Sequence, residues 1–154
     1  MKDWSKKRYW IVGASEGLGL ALAQKMSEAG ASLILTARNE ARLKEIASTL
    51  PNEVEVLPLD ITDLNAVRKS VKKLENVDGF VFLAGAYWPM PAQHWDIEKL
   101  TAMIDVNLIG ALHTLDVILP IFLEKNRGHL VFTGSLAGYR GLPGALAVSY
   151  THLR

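Results

Sequence analysis

Cysteine is absent from all 154 residues. That excludes a disulfide framework and any thiolate metal site, and it accords with a reducing, cytoplasmic setting. An excess of one charge is missing as well. Seventeen Lys and Arg stand against 16 Asp and Glu, giving a formal net charge of +1, and the basic block is confined to Lys6-Lys7-Arg8. Nucleic acid requires a concentrated positive surface and is not expected as a partner. Long apolar runs are lacking too: the longest patch, VILPIFL at 117–123, is short and contains Pro120, whereas a bilayer span takes about 20 apolar residues. No membrane partner is expected. The opening basic residues and apolar stretch resemble a signal peptide only superficially, because Glu16 and glycines 13, 17 and 19 interrupt them. The histidines at 94, 113, 129 and 152 lack metal-ligand spacing, so no metal site is expected.

What is present reads as one globular domain, 49% hydrophobic and 21% charged. Short β-branched or aromatic runs, YWIV 9–12, SLILT 32–36, EVEVL 53–57, GFVFL 79–83 and HLVFT 129–133, predict strands. Segments with helical spacing lie between them. Leu18, Ala21, Leu22 and Met26 share one predicted face, Leu43, Ile46, Ala47 and Leu50 a second, and Leu64, Val67, Val71 and Leu74 a third. Asn39 and Thr62 are placed as N-caps and Gly30 as a C-terminal stop. A longer helix is expected over 97–125, with Pro120 bending its last turns. Strands alternating with helices predict an α/β fold, a Rossmann-type doubly wound parallel sheet in the order 3-2-1-4-5. Ligands of such sheets bind at the carboxyl ends of the strands, so function is sought just after residues 12, 36, 57, 83 and 133.

After the first strand stands Gly13-Ala-Ser15-Glu16-Gly17-Leu18-Gly19. Glycines between a strand and a helix let the backbone turn tightly and approach a diphosphate at the helix N-terminus. No Gly-Lys-Ser/Thr follows, which rules out a P-loop nucleotidase. After the second strand comes Arg38, a residue that accommodates a ribose 2′-phosphate, where an acid would bind the 2′-hydroxyl. NADP(H) is therefore expected over NAD(H), although Glu16 mildly opposes a phosphate nearby. The same arginine disfavours an S-adenosylmethionine methyltransferase. After the third strand, Asp60 and Ile61 could meet an adenine; alternatively Asp60 stabilises the next helix. Ala84, Gly85 and Ala86 are small enough to let a cofactor lie against the backbone. Ser135 follows the fifth strand without a histidine–acid pair to activate it or a Gly-x-Ser-x-Gly elbow, so donation to a substrate oxygen is its expected role. Asn107 sits within the long helix, where it could bind backbone or water.

In this order the pieces resemble the short-chain dehydrogenase/reductase family over residues 8 to 147. Gly13, Gly17 and Gly19 match its cofactor loop, Arg38 its NADP(H)-preferring members, Asp60 its adenine contact and Ala84-Gly85 the end of its Asn-Asn-Ala-Gly motif. Asn107 in DVNLIGALH and Ser135 in VFTGSLAGYRGLPG match its catalytic asparagine and serine. The resemblance implies an oxidoreductase that reduces a small-molecule carbonyl or oxidises an alcohol. In it a serine polarises the carbonyl, an asparagine holds a water, and a tyrosine with a lysine four residues on moves the proton. It also implies a homo-oligomer. The alternative is a non-catalytic NADP(H)-binding module.

Two departures bear on this reading. Phe82-Leu83 stands where the family has its asparagine pair. The family's tyrosine would fall at Val148, whereas Tyr150 lies two residues later, roughly 200° round a helix, with Arg154 in place of the lysine. We expect residues 148–154 to be a non-native tail that imitates the motif, on a single domain, 1–154, lacking the family's last helices and strands. Little or no turnover is accordingly expected. Such a chain would leave its fifth strand and the 97–125 helix partly uncovered, with marginal stability and a tendency to aggregate.

Overall fold

The computed structural model describes residues 4–151. Five parallel strands form one sheet: β1 (Arg8–Val12), β2 (Ser32–Thr36), β3 (Val54–Val56), β4 (Gly79–Phe82) and β5 (His129–Phe132), in the order β3-β2-β1-β4-β5. The expected order holds; β1 begins one residue earlier, β2 keeps its bounds, and β3, β4 and β5 lose an end residue or two. Val12, the last residue of β1, pairs with Thr36 on one side and Phe82 on the other. The central strands β1, β2 and β4 read as nearly continuous apolar runs because both their faces are covered. Trp10, Val12, Ile34, Phe80 and Phe82 pack on one face with Val117, Ile118 and Phe122. Tyr9, Ile11, Leu33, Leu35 and Val81 pack on the other with Ala23, Met26, Leu43 and Ile46.

Helix α1 (Gly17–Glu28) buries Gly19, Ala23, Met26 and Ser27; of the expected face Met26 is buried and Leu22 is half-buried against the core, whereas Leu18 and Ala21 are exposed. Leu18 is 64% exposed. Close contact at Gly19 turns the small residues inward and the leucine out. The helix ends in a Schellman motif at Gly30 (φ +101°), where Gly30 N–H donates to Ser27 O at 2.9 Å and Ala31 N–H to Met26 O at 3.0 Å. Helix α2 (Glu40–Thr49) is capped by Asn39 and buries Leu43 and Ile46, as expected.

The next helical segment is split into α3 (Leu64–Lys69) and α4 (Val71–Leu74). The buried Ser70 hydroxyl donates to Val67 O at 2.7 Å, so Val67 and Leu74 are buried while Val71 is exposed. The N-cap is Asp63, which accepts from Asn65 and Ala66 N–H. Thr62, the expected cap, instead donates its hydroxyl to Asp60.

The long helix is also interrupted, though not at Pro120. Helix α5 (Ile97–Ile104) leads into a π-helical turn, Asp105–Ile109, and then α6 (Gly110–Glu124), which runs through Pro120. Together they make a 28-residue stretch long and apolar enough, by length and composition, to cross a membrane. Leu100 and Met103 of α5 pack with Ala147, whereas Val117, Ile118 and Phe122 of α6 pack on the sheet. A 3-10 turn, Leu136–Gly138, and α7 (Leu146–Thr151) complete the described part. His152 and Arg154 lie outside the described residues.

Candidate functional site

The chain turns sharply after β1. Gly13 and Ala14 N–H both donate to the carbonyl of Thr36, at 2.8 and 3.1 Å. Thr36 is itself fixed, because its hydroxyl accepts the buried Trp10 indole N–H at 2.8 Å. Gly13 holds φ +91°, and a Cβ there would stand 2.5 Å from Ala84 N; one on Gly19 would stand 2.0 Å from Gly13 O. The protein's own packing demands both glycines. Gly17 is different: at φ +54° it has nothing within 4 Å of where a Cβ would point. Its bare side opens on the cleft.

The first N–H groups of α1, on Gly17, Leu18 and Gly19, have no acceptor within the helix. Its N-cap, Glu16, makes no side-chain cap bond, whereas α2, α3 and α5 are capped by Asn39, Asp63 and Asp96. These donors face a cleft of about 430 Å³, within the range of small-molecule sites. A diphosphate would find a glycine-lined approach and a positive helix end there, so the residues fit a dinucleotide.

The cleft gathers Gly13, Ser15, Glu16, Gly17, Leu18, Gly19, Arg38, Asp60, Ile61, Ala84, Gly85 and Ala86. Arg38 is exposed beyond β2 and forms no ion pair among the described residues. Asp60 Oδ1 accepts the Thr62 backbone N–H at 2.9 Å and its hydroxyl at 2.8 Å. Those bonds, the backbone one foremost, hold its carboxyl below the ordinary range; the charge of Arg38 adds a smaller pull. The sequence reading missed Trp88, Ala102 and Val106, which also line the cleft. The last two are four apart on one helical face, a spacing that could have exposed them. It also missed Arg42, whose Nε donates to Ser15 O at 3.4 Å and ties α2 to the glycine turn.

Asn107 lies in the π-helical turn. Its Oδ1 accepts Ala86 N–H at 2.8 Å and its Nδ2 donates to Ala86 O at 3.0 Å. Of the two roles open in the sequence, the one formed here is the backbone bond. Asn107 and Ser135 line a second chamber, about 360 Å³, which shares Gly85 and Ala86 with the first. Ser135 Oγ accepts the Ala137 N–H at 3.1 Å, capping the 3-10 turn. Val148, on α7, lines this chamber. Position 150 is two residues further along the same helix, and the Tyr150 side chain lies outside the described part.

A sequence profile of the short chain dehydrogenases matches residues 7–151. The chain belongs to the short-chain dehydrogenase family. It is similar to an uncharacterized oxidoreductase of Staphylococcus epidermidis, 35% identical over 133 residues that cover 84% of this chain and 58% of the relative. The chain thus spans little more than half of that relative's length. Among solved structures, Escherichia coli serine dehydrogenase is 27% identical with a TM-score of 0.89, the match covering 94% of this chain and 69% of that one. A closed form of serine dehydrogenase complexed with NADP+ is likewise 27% identical with a TM-score of 0.89, covering 94% of this chain and 60% of the other. Short-chain dehydrogenases bind a nicotinamide dinucleotide, and in this chain the glycine turn, the open side of Gly17 and the uncapped end of α1 suit one.

Proposed function

We propose that the chain is the cofactor-binding part of an NADP(H)-dependent short-chain oxidoreductase acting on a small-molecule carbonyl or alcohol. The observation that carries this reading is the meeting of the glycine turn, Arg38, Asp60 and Ala84–Ala86 around one cleft. The N–H groups of Gly17, Leu18 and Gly19 would hold the diphosphate. Arg38, exposed and without an ion pair among the described residues, would meet a 2′-phosphate, and Asp60 Oδ2 would accept from an adenine amino group. When bound, the nicotinamide supplies or accepts the hydride. Ser135 would donate its hydroxyl proton to the substrate oxygen and draw electron density from the carbonyl carbon. Asn107 would keep the Ala86 wall in place between the two chambers.

A proton donor is the weak point of this chain. The position that matches the family's tyrosine is Val148, an aliphatic side chain facing the chamber. We therefore expect dinucleotide binding with little or no turnover from these residues, and Val148 favours a non-catalytic NADP(H)-binding module as the second reading. In either case a cytoplasmic setting and, for the longer protein, a homo-oligomer accord with the family. Serine dehydrogenase is named for an amino-acid substrate; among the described residues no charged side chain lines the chamber here.

Titration of NADPH and NADH by fluorescence tests the proposal. NADPH should bind more tightly by at least tenfold, and Arg38→Met should remove most of that preference while leaving NADH unchanged. Equal affinities in the unaltered chain would defeat the 2′-phosphate assignment. No binding of either would defeat the dinucleotide reading.

A further inference from the structure

The start of α6 and the π-helical turn before it touch two walls of the cleft. Asn107 holds Ala86 on one side. On the other stands Ile61, which lines the cleft and is 7% exposed within the core cluster. Gly110 lets the helix come close: a Cβ there would stand 2.7 Å from Ile61 Cδ1. One turn on, the half-buried His113 places its Nδ1 2.9 Å from Ile61 O. A carbonyl oxygen can accept but not donate, so the proton of this bond belongs to Nδ1 and the ring's tautomer follows. The loop around Ile61 is tied within itself as well. Asp60 Oδ1 accepts from the Thr62 N–H and hydroxyl, and Asp60 O accepts from Asp63 N–H at 3.2 Å. Those local bonds give the loop its shape. The bond from His113, 52 residues away in sequence, fixes where that shape stands against the cleft.

We propose that His113 is a positioning residue for the adenine end of the dinucleotide, holding the Ile61 carbonyl so that Asp60 can tell adenine from other purines. The inference rests on the dinucleotide reading above. Adenine offers an exocyclic amino proton to a carboxylate, whereas hypoxanthine presents an oxygen there and gives it nothing to accept. Hydrogen bonds weaken steeply once distance and angle are lost. A loop released from α6 would therefore lose the discrimination between bases. The phosphates are met by other elements, the end of α1 and Arg38, so binding as a whole should suffer less.

Fluorescence titration of the full chain with NADPH and with its hypoxanthine analogue tests this. The unaltered chain should prefer NADPH about fivefold, the worth of one hydrogen bond. His113→Leu should bring the preference close to unity, while His113→Asn, whose Nδ2 can donate from the place of Nδ1, should keep most of it. His113→Ala takes the place of the leucine variant if circular dichroism shows the latter unfolded. Heteronuclear NMR of the His113 ring needs no variant: Nδ1 should carry a proton at every pH, and a bare Nδ1 would overturn the inference. So would a preference that survives His113→Leu, one that His113→Asn fails to keep, or an equal loss of affinity for both dinucleotides, the mark of a merely structural role. If the unaltered chain binds both alike, the dinucleotide reading stands and the role of His113 falls. Binding of neither takes down both.

Discussion

Three glycines of one turn serve separate ends. Gly19 has no room for a Cβ, because Gly13 O would lie 2.0 Å away. Gly19→Ala must push α1 off the sheet, at about 1–3 kcal/mol or more, and denaturant titration should show the loss. Gly17 has open space, so Gly17→Ala carries chiefly the strain of φ +54°, of order 1–2 kcal/mol. It should weaken NADPH binding more than tenfold while the fold persists. Tyr9 marks the opposite end of β1. Its hydroxyl shares a 3.0 Å hydrogen bond with His129 Nδ1. Burial raises the phenol pKa above its ordinary value, and the Asp78 carboxylate adds to the rise. The folded phenol thus ionises later than the unfolded one. Tyr9's contribution is whole below about pH 10, the unfolded value, and is lost as pH rises through the folded pKa. Melting temperatures of the unaltered chain should fall across that window, and Tyr9→Phe should flatten the fall. At this scale the sequence spoke through types with few reasons to occur where they do: glycines after a strand and Arg38 after the next. Trp88 and Arg42 went unseen because their roles depend on which way a loop and a helix face.

At the scale of the element, the π-helical turn is the decisive departure. One extra residue per turn rotates the following face of the helix, and Asn107 sits there with both ends of its carboxamide on Ala86. Asn107→Leu keeps the bulk and removes both bonds, leaving a backbone N–H and C=O short of partners. A loss of about 1–3 kcal/mol is expected in urea denaturation, with weaker NADPH binding as the 84–86 wall loosens. Periodicity gave the helical segments up to residue 125 but not their phase wherever a local hydrogen bond intervened, and it did not predict α7. Ser70 breaks the segment 64–74 into two, and the close contact at Gly19 leaves Leu18 of α1 exposed. Asn39 and Gly30 were legible because a cap and a left-handed stop depend on their own residue and little else.

For the whole molecule, alternation and chain handedness sufficed to give the strand order. The fit between surfaces was less legible. Ile104, Leu108, Leu112, Leu119 and Leu123 are exposed along α5, the π-helical turn and α6, Leu123 by 69%. On β5, Leu130 and Phe132 are 38% and 41% exposed. Surfaces of this kind promote association. Size-exclusion chromatography should show concentration-dependent association of the unaltered chain, and Leu112→Glu combined with Leu123→Lys should raise the monomer fraction severalfold. A sharp monomer peak for the unaltered chain at all concentrations would contradict this.

The bare beginning of α1 has a thermodynamic corollary. Where α2, α3 and α5 carry their own terminating side chain, this one leaves donors turned outward, so the guest that accepts from them also completes the host. Occupancy and folding are then coupled, and cellular dinucleotide, by mass action, would help decide how much of the protein survives proteolysis.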